Sequence, residues 1–179
     1  ETYVYIDHGQ HSFSPGLFVI LRNNPFKSSS IPVHEAVDSH FFTGKTPFTV
    51  TIYSANRAEW AITDLACISY SLTNTALYDT LGPTTSKYIL ETTESPVVVT
   101  SKDHLEAIIN LKAKHPQELQ ALIALVLMDP LGPEDHATVA KANAAKIQLF
   151  DFKQVEKFGE INPVQDYPPT QDTIYTISF

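Results

Sequence analysis

At 179 residues with 43% hydrophobic content, the chain is long enough to bury one sizeable core, and a single domain is the natural division. A formal net charge of −8 argues against nucleic acid or an anionic membrane as the main partner, since both select for basic patches. Cys67 is the only cysteine, which rules out an internal disulfide and a cysteine-based metal cage and fits a reducing, intracellular compartment.

In chain order, Thr2 to Ile6 reads as a strand, and Ser14 to Leu21 has helical apolar spacing at Leu17, Phe18 and Leu21. Residues 22–47 are rich in Ser, Pro and Asn and weakly periodic, and read as a long surface loop or insertion. Phe48 to Tyr53 is β-branched and aromatic, as suits a buried strand. Asn56, three residues before Glu59, predicts a capping box at the start of a helix. Ala58, Ala61, Ile62, Leu65, Ile68 and Leu72 then mark the apolar face of that helix. Asn74 to Leu77 reads as a strand and Asp79 to Pro83 as a turn. This β-α-β unit forces a parallel pair.

Gly82-Pro83 opens a second helix to about Thr93, because proline at the first helical position wastes no hydrogen bond. Val97 to Thr100 is a short buried strand. Ser101 is placed to cap a helix that buries Leu105, Ile108 and Ile109 and ends at His115-Pro116. The apolar run Ala121 to Met128 suits a central parallel strand. A weaker helix runs from Gly132-Pro133 to about Lys146, followed by a strand at Ile147 to Phe150. Asp151 and Gln154 repeat the capping-box pattern for a helix ending at Gly159. A last strand spans Thr173 to Phe179, with Tyr175, Ile177 and Phe179 on one face. The alternation predicts a doubly wound α/β fold, its mainly parallel sheet covered by helices on both faces. Glu1 is not a methionine and no signal peptide is visible, so the chain reads as a piece of something longer.

No catalytic constellation stands out. Gly44-Lys45-Thr46 resembles the end of a phosphate loop, but Ser39 stands where the first glycine belongs, and Pro47 and a strand follow where a helix is needed. Asp7, His8 and His11 have a metal-like look without a third ligand and a base, so exposed polar side chains are the plainer account. Cys67 lies in an apolar helix and reads as core rather than as a redox group. Trp60 and Tyr70 read as packing residues. There is no G-x-S-x-G elbow and no G-x-G-x-x-G fingerprint.

The stretch Ser54-Ala55-Asn56-Arg57-Ala58-Glu59-Trp60 resembles the S-x-N-R-x-E-W signature of long- and medium-chain fatty-acyl-CoA synthetases. Thr63 to Cys67 and Leu77-Tyr78-Asp79-Thr80-Leu81-Gly82-Pro83 continue the likeness. Tyr70 to Tyr78, Pro168-Pro169-Thr170 and Tyr175 to Phe179 look close to the fungal, peroxisomal, medium-chain branch. The likeness covers most of Pro47 to Ala107 and returns at the end. It implies that residues 1–179 are the N-terminal part of an AMP-binding, adenylate-forming domain. The parent would be a fatty acid–CoA ligase that uses ATP, Mg²⁺ and coenzyme A on a fatty acid, in the peroxisome.

In that family the phosphate loop directly follows the strand matching Thr173 to Phe179. The resemblance therefore implies no catalytic, cofactor-binding or metal residue within this sequence, no bound cofactor and no activity of the chain alone. It also implies self-association through an exposed C-terminal strand. Two other readings stay open on the residues alone: a non-catalytic α/β binding or interaction module, and an enzyme of another class such as a hydrolase. The run Asn56 to Pro83 favours the synthetase reading over both.

Overall fold

Among the described residues, six parallel strands form one sheet in the order β5-β4-β3-β1-β2-β6. The structure, a computed structural model, describes residues 49–163 and 168–179. The strand at Thr2 to Ile6, the helix at Ser14 to Leu21, the loop at 22–47, Phe48, Gly44-Lys45-Thr46 and the group Asp7, His8 and His11 all lie outside the described residues.

The elements in chain order are β1 (Thr49–Tyr53), α1 (Ala58–Ser69), β2 (Thr73–Ala76), a 3₁₀ turn (Asp79–Leu81) and α2 (Gly82–Thr93). They continue with β3 (Val97–Thr100), α3 (Lys102–Lys114), β4 (Ala124–Leu127), a 3₁₀ turn (Pro133–Asp135) and α4 (His136–Ala144). The chain closes with β5 (Gln148–Asp151), α5 (Phe152–Ile161) and β6 (Thr176–Ile177).

The strand residues alternate between two cores, as the two-residue strand period requires. Val50, Ile52, Val97, Val99, Ala124 and Val126 face α1 and α5, where Ala66, Cys67, Phe152 and Val155 meet them. Val98, Leu125 and Leu127 face α2, α3 and α4, meeting Ile89, Leu90, Leu105, Ile108, Ile109 and Ala142. The fold is therefore doubly wound α/β, as the sequence alternation predicts. Each fully buried Val, Leu or Ile here contributes about 1.5–3 kcal/mol relative to exposure.

Several local expectations need correction. The α1 N-cap is Arg57, and its side chain makes no capping bond. Glu59, expected to reach back to the Asn56 backbone, is instead taken by the Arg57 guanidinium at 2.7 Å. A neighbouring cation outcompetes a backbone N–H because a charge-assisted bond is the stronger. The buried face of α1 is also rotated from the expected one. Thr63, Ala66 and Cys67 are buried, and Ile62 and Leu72 pack against the first core as expected, while Ala58, Ala61 and Ile68 are exposed and Leu65 is only half-buried. Thr63 tolerates burial because its hydroxyl donates to the Glu59 carbonyl one turn back, at 2.7 Å.

Strand β4 is shorter than its apolar run. The helix expected from Gly132 begins instead with the 3₁₀ turn, and α5 runs on to Ile161. β6 is two residues rather than seven and lies at the sheet edge beside β2, with Tyr175 48% and Phe179 49% exposed. The Asp151–Gln154 capping box is as expected: Gln154 N donates to Asp151 Oδ1 at 2.8 Å, and Asp151 N donates to Gln154 Oε1 at 3.1 Å.

Candidate functional site

The chain steps from β1 to β2 on one side, then returns past β1 to β3 and continues outward through β4 and β5. Strand order thus reverses between β1 and β3, and in open α/β sheets the crevice beyond the carboxyl ends at that point is the usual ligand position. A crevice of about 560 Å³ opens there, lined by Asn56, Arg57, Ser101, Lys102, Asp103 and Asp129 among others.

Three strand ends set these residues in place. After β1 the chain stays extended at Arg57 before entering α1. After β3, Ser101 is the extended N-cap residue of α3. After β4, Met128 N donates to the Thr100 carbonyl at 2.8 Å, which holds Asp129 level with the start of α3.

Asp129 joins the three ends. Its Oδ1 accepts from Arg57 Nη1 at 2.9 Å, and its Oδ2 accepts from the Lys102 backbone N–H at 2.8 Å. Arg57 also donates from Nε to Glu59. These carboxylates, Glu59 first and Asp129 second, raise the Arg57 pKa above its ordinary value, and Arg57 in turn holds Glu59 below the usual range. Ser101 Oγ is buried and has no well-formed hydrogen bond among the described residues. Its approach to Asp103 is the main influence holding that carboxyl below the usual range.

A second cluster lies alongside. The Tyr53 and His104 rings stack at 4.0 Å, tilted by 3°. His104 Nε2 is 3.3 Å from Asp79 Oδ1 and 3.5 Å from Asp103 Oδ2. Burial, then Asp79, pushes the Tyr53 phenol up. Lys102 Nζ reaches away from the crevice to Asp135 at 2.9 Å and Glu134 at 3.3 Å.

Chemically, the crevice answers its own charges. Both cations are paired, the first free N–H of α3 is taken by Asp129, and Asp103 adds a further carboxylate. Among the described residues no group of three His, Cys, Asp or Glu side chains is placed to hold a metal ion.

Cys67 is fully buried, and burial first and Asp64 second push its thiol far above the range in which a thiolate forms. It packs as core, as the sequence suggests. Trp60 is partly buried against the first core and Tyr70 is half-buried at the end of α1. Sequence reasoning did not single out Arg57, Asp129, Ser101 or His104 as a cluster. The available signals were Arg57 within the Ser54 to Trp60 stretch and Asp129-Pro130 directly after the apolar run of β4.

Comparison with known proteins gives concordant results. A family model described as "AMP-binding enzyme" matches residues 44–179. A peroxisomal acyl-CoA ligase 891 of Penicillium brevicompactum is 32% identical over 88% of this chain and 22% of its own length. The rat protein named long-chain-fatty-acid–CoA ligase 6 is 31% identical over 73% of this chain and 18% of its own length. The chain thus spans about a fifth of the length of these relatives. Among solved structures, the A domain of carboxylic acid reductase from Segniliparus rugosus, in complex with AMP and a co-purified carboxylic acid, superposes with a TM-score of 0.66. Its identity is 17%, over 94% of this chain and 24% of that one, a likeness of fold.

Proposed function

We propose that this chain, which belongs to the AMP-binding enzyme family, is the N-terminal part of an ATP-dependent, AMP-forming fatty acid–CoA ligase. The observation that carries the reading is the family match over residues 44–179, which takes in both Ser54 to Trp60 and Leu77 to Pro83. Relatives that bear acyl-CoA ligase names support it. In the reaction a fatty-acid carboxylate attacks the α-phosphorus of ATP, giving acyl-adenylate and pyrophosphate. The thiol of coenzyme A then displaces AMP to give the thioester. Mg²⁺ offsets the phosphate charge.

Residues 1–179 supply scaffold in this reading and hold no catalytic, nucleotide or metal ligand of their own. The chain alone releases no pyrophosphate, and it self-associates through the surface at Tyr175 and Phe179, both exposed. A peroxisomal location draws support from the Penicillium relatives, whose names carry it.

The test is formation of acyl-CoA by the native polypeptide that contains these residues, supplied with ATP, Mg²⁺, coenzyme A and medium- or long-chain acids. Thioester made in step with AMP supports the reading. Thioester absent with every acid, from a folded protein, overturns it.

A further inference from the structure

The first turn of α3 is tied to three other strand ends. Toward β1, Ser101 N donates to the Tyr53 carbonyl at 3.3 Å, and the Thr100 hydroxyl donates to the same carbonyl at 2.9 Å. Toward β4, Lys102 N donates to Asp129 Oδ2 at 2.8 Å, and the other oxygen of Asp129 takes Arg57 at the crevice. Toward β2, His104 Nε2 stands 3.3 Å from Oδ1 of Asp79, in the 3₁₀ turn that follows that strand. The helical turn that carries these ties is closed by its own backbone, since His104 N donates to the Ser101 carbonyl at 3.2 Å.

The tie toward β2 is a clamp made of two rings. Tyr53 from β1 and His104 from α3 stack at 4.0 Å, 3° from parallel, and the Tyr53 hydroxyl also reaches Asp79. The Asp79 side chain is 73% exposed, whereas that of His104 is only 13% exposed. The carboxylate therefore belongs to the surface, and the ring that holds it belongs to the packed interior. Among the described residues no hydrogen bond or ion pair joins Asp79 to Asp129 directly. Each binds a residue of the same helical turn, Lys102 for Asp129 and His104 for Asp79, two positions apart.

We propose that the first turn of α3 couples the exposed turn after β2 to the crevice, so that Asp79 and Asp129 act on one another through it. A rigid element bonded at both ends carries such coupling, and the coupling is reciprocal. Whatever engages the turn at Asp79 is then felt at Arg57 and Asp129. The inference rests on the carboxyl edge of the sheet alone and stands apart from the ligase reading.

A double-mutant cycle on the 179-residue chain, read by urea melts, tests it. Sites without shared partners contribute additively, and sites in one network do not. Asp79→Ala trims an exposed side chain and leaves both cores intact. In the parent it raises the unfolding equilibrium constant about fivefold, and in the Asp129→Ala background less than about twofold, because the turn that Asp79 braces is already loosened. His104→Phe, which keeps a ring over Tyr53 but lacks the Nε2 donor, repeats the pattern. The Lys102 amide gives a second reading, since its acceptor is Asp129. Asp79→Ala accelerates its exchange about twofold to fivefold and leaves the Val98 and Leu125 amides unchanged. An equal effect of Asp79→Ala in the two backgrounds overturns the proposal, as does a Lys102 amide indifferent to Asp79→Ala.

Discussion

Arg57 and Asp129 lie 72 positions apart, yet Arg57 Nη1 donates to Asp129 Oδ1 at 2.9 Å across the mouth of the crevice. The second oxygen of Asp129 takes the Lys102 backbone N–H, so one side chain fastens the start of α1, the start of α3 and the end of β4. Each partner of the ion pair is about a third exposed, so solvent screens the Coulomb attraction. The greater part of the stabilisation comes from the helix N–H, which has no intrahelical acceptor.

Asp129→Ala therefore destabilises the fold by about 1–2 kcal/mol, the sum of a lost helix-start acceptor and a weak pair. Asp129→Asn keeps an oxygen for Lys102 and costs less than half as much. Urea melts of the two variants decide the order. Equal losses would show that the ion pair, not the helix N–H, is the main contact.

The two capping boxes read in the sequence make a matched pair of tests. Asp151→Ala removes a side-chain acceptor that α5 uses, and costs about 1 kcal/mol. Asn56 is exposed and caps nothing, so Asn56→Ala changes stability by less than about 0.5 kcal/mol. Thermal or denaturant melts of both variants check the contrast.

Lys112 is a buried cation on α3 whose Nζ donates to the Leu119 carbonyl. Burial first, and Lys146 second, lower its pKa, so the charged form is disfavoured in the folded chain. Leu119 O also accepts from Leu122 N at 3.1 Å, so removing the ammonium leaves that carbonyl partnered. Lys112→Met is thus neutral or stabilising by about 1 kcal/mol. A lysine whose folded pKa is depressed lets stability rise with pH toward the ordinary lysine range, and Lys112→Met removes that rise. Denaturant melts from pH 7 to 10 measure both effects.

Glu156 on α5 has its pKa raised by burial, with Glu160 adding to it. A raised carboxylate pKa means that the folded state is favoured when the group is protonated, below its ordinary pKa of about 4.3, and loses that advantage as pH rises. Glu156→Gln is accordingly more stable than the parent at pH 7, and the gap closes as pH falls through the raised value toward 4.3. Glu59, held low by Arg57, has the opposite sign: it supports the fold above the ordinary pKa and ceases to in acid. Melts of the Glu156→Gln and parent chains at pH 4 and 7 read the difference.

Much of the fold was legible because strand burial leaves a strong mark. Val97 to Val99 and Ala124 to Leu127 sit under helices on both sides and show unbroken apolar runs. The Asp151 box was legible because no cation competes for Gln154 there. At α1 the same signal misled, because Arg57 captured Glu59, and because Thr63, polar in sequence, hides its hydroxyl on a carbonyl and turns inward. β6 was overestimated in length because alternation marks an extended chain, whereas pairing depends on what lies beside it. The crevice was legible only as separate pieces, Arg57 in the Ser54 to Trp60 stretch and Asp129 after the apolar run of β4. Its contacts join residues from three strand ends, and no local pattern signals that Arg57, Ser101 and Asp129 will meet.

The account turns on whether this scaffold belongs to an enzyme that makes an acyl-adenylate. Hydroxylamine trapping measures that intermediate directly: the native polypeptide containing residues 1–179 is incubated with ATP, Mg²⁺ and a fatty acid, without coenzyme A, and acyl-hydroxamate and pyrophosphate are quantified together. The account predicts acyl-hydroxamate and pyrophosphate in equal amounts from the native polypeptide, and neither above background from the 179-residue chain. Hydroxamate from the short chain, or none from a folded native polypeptide with any fatty acid, would contradict it.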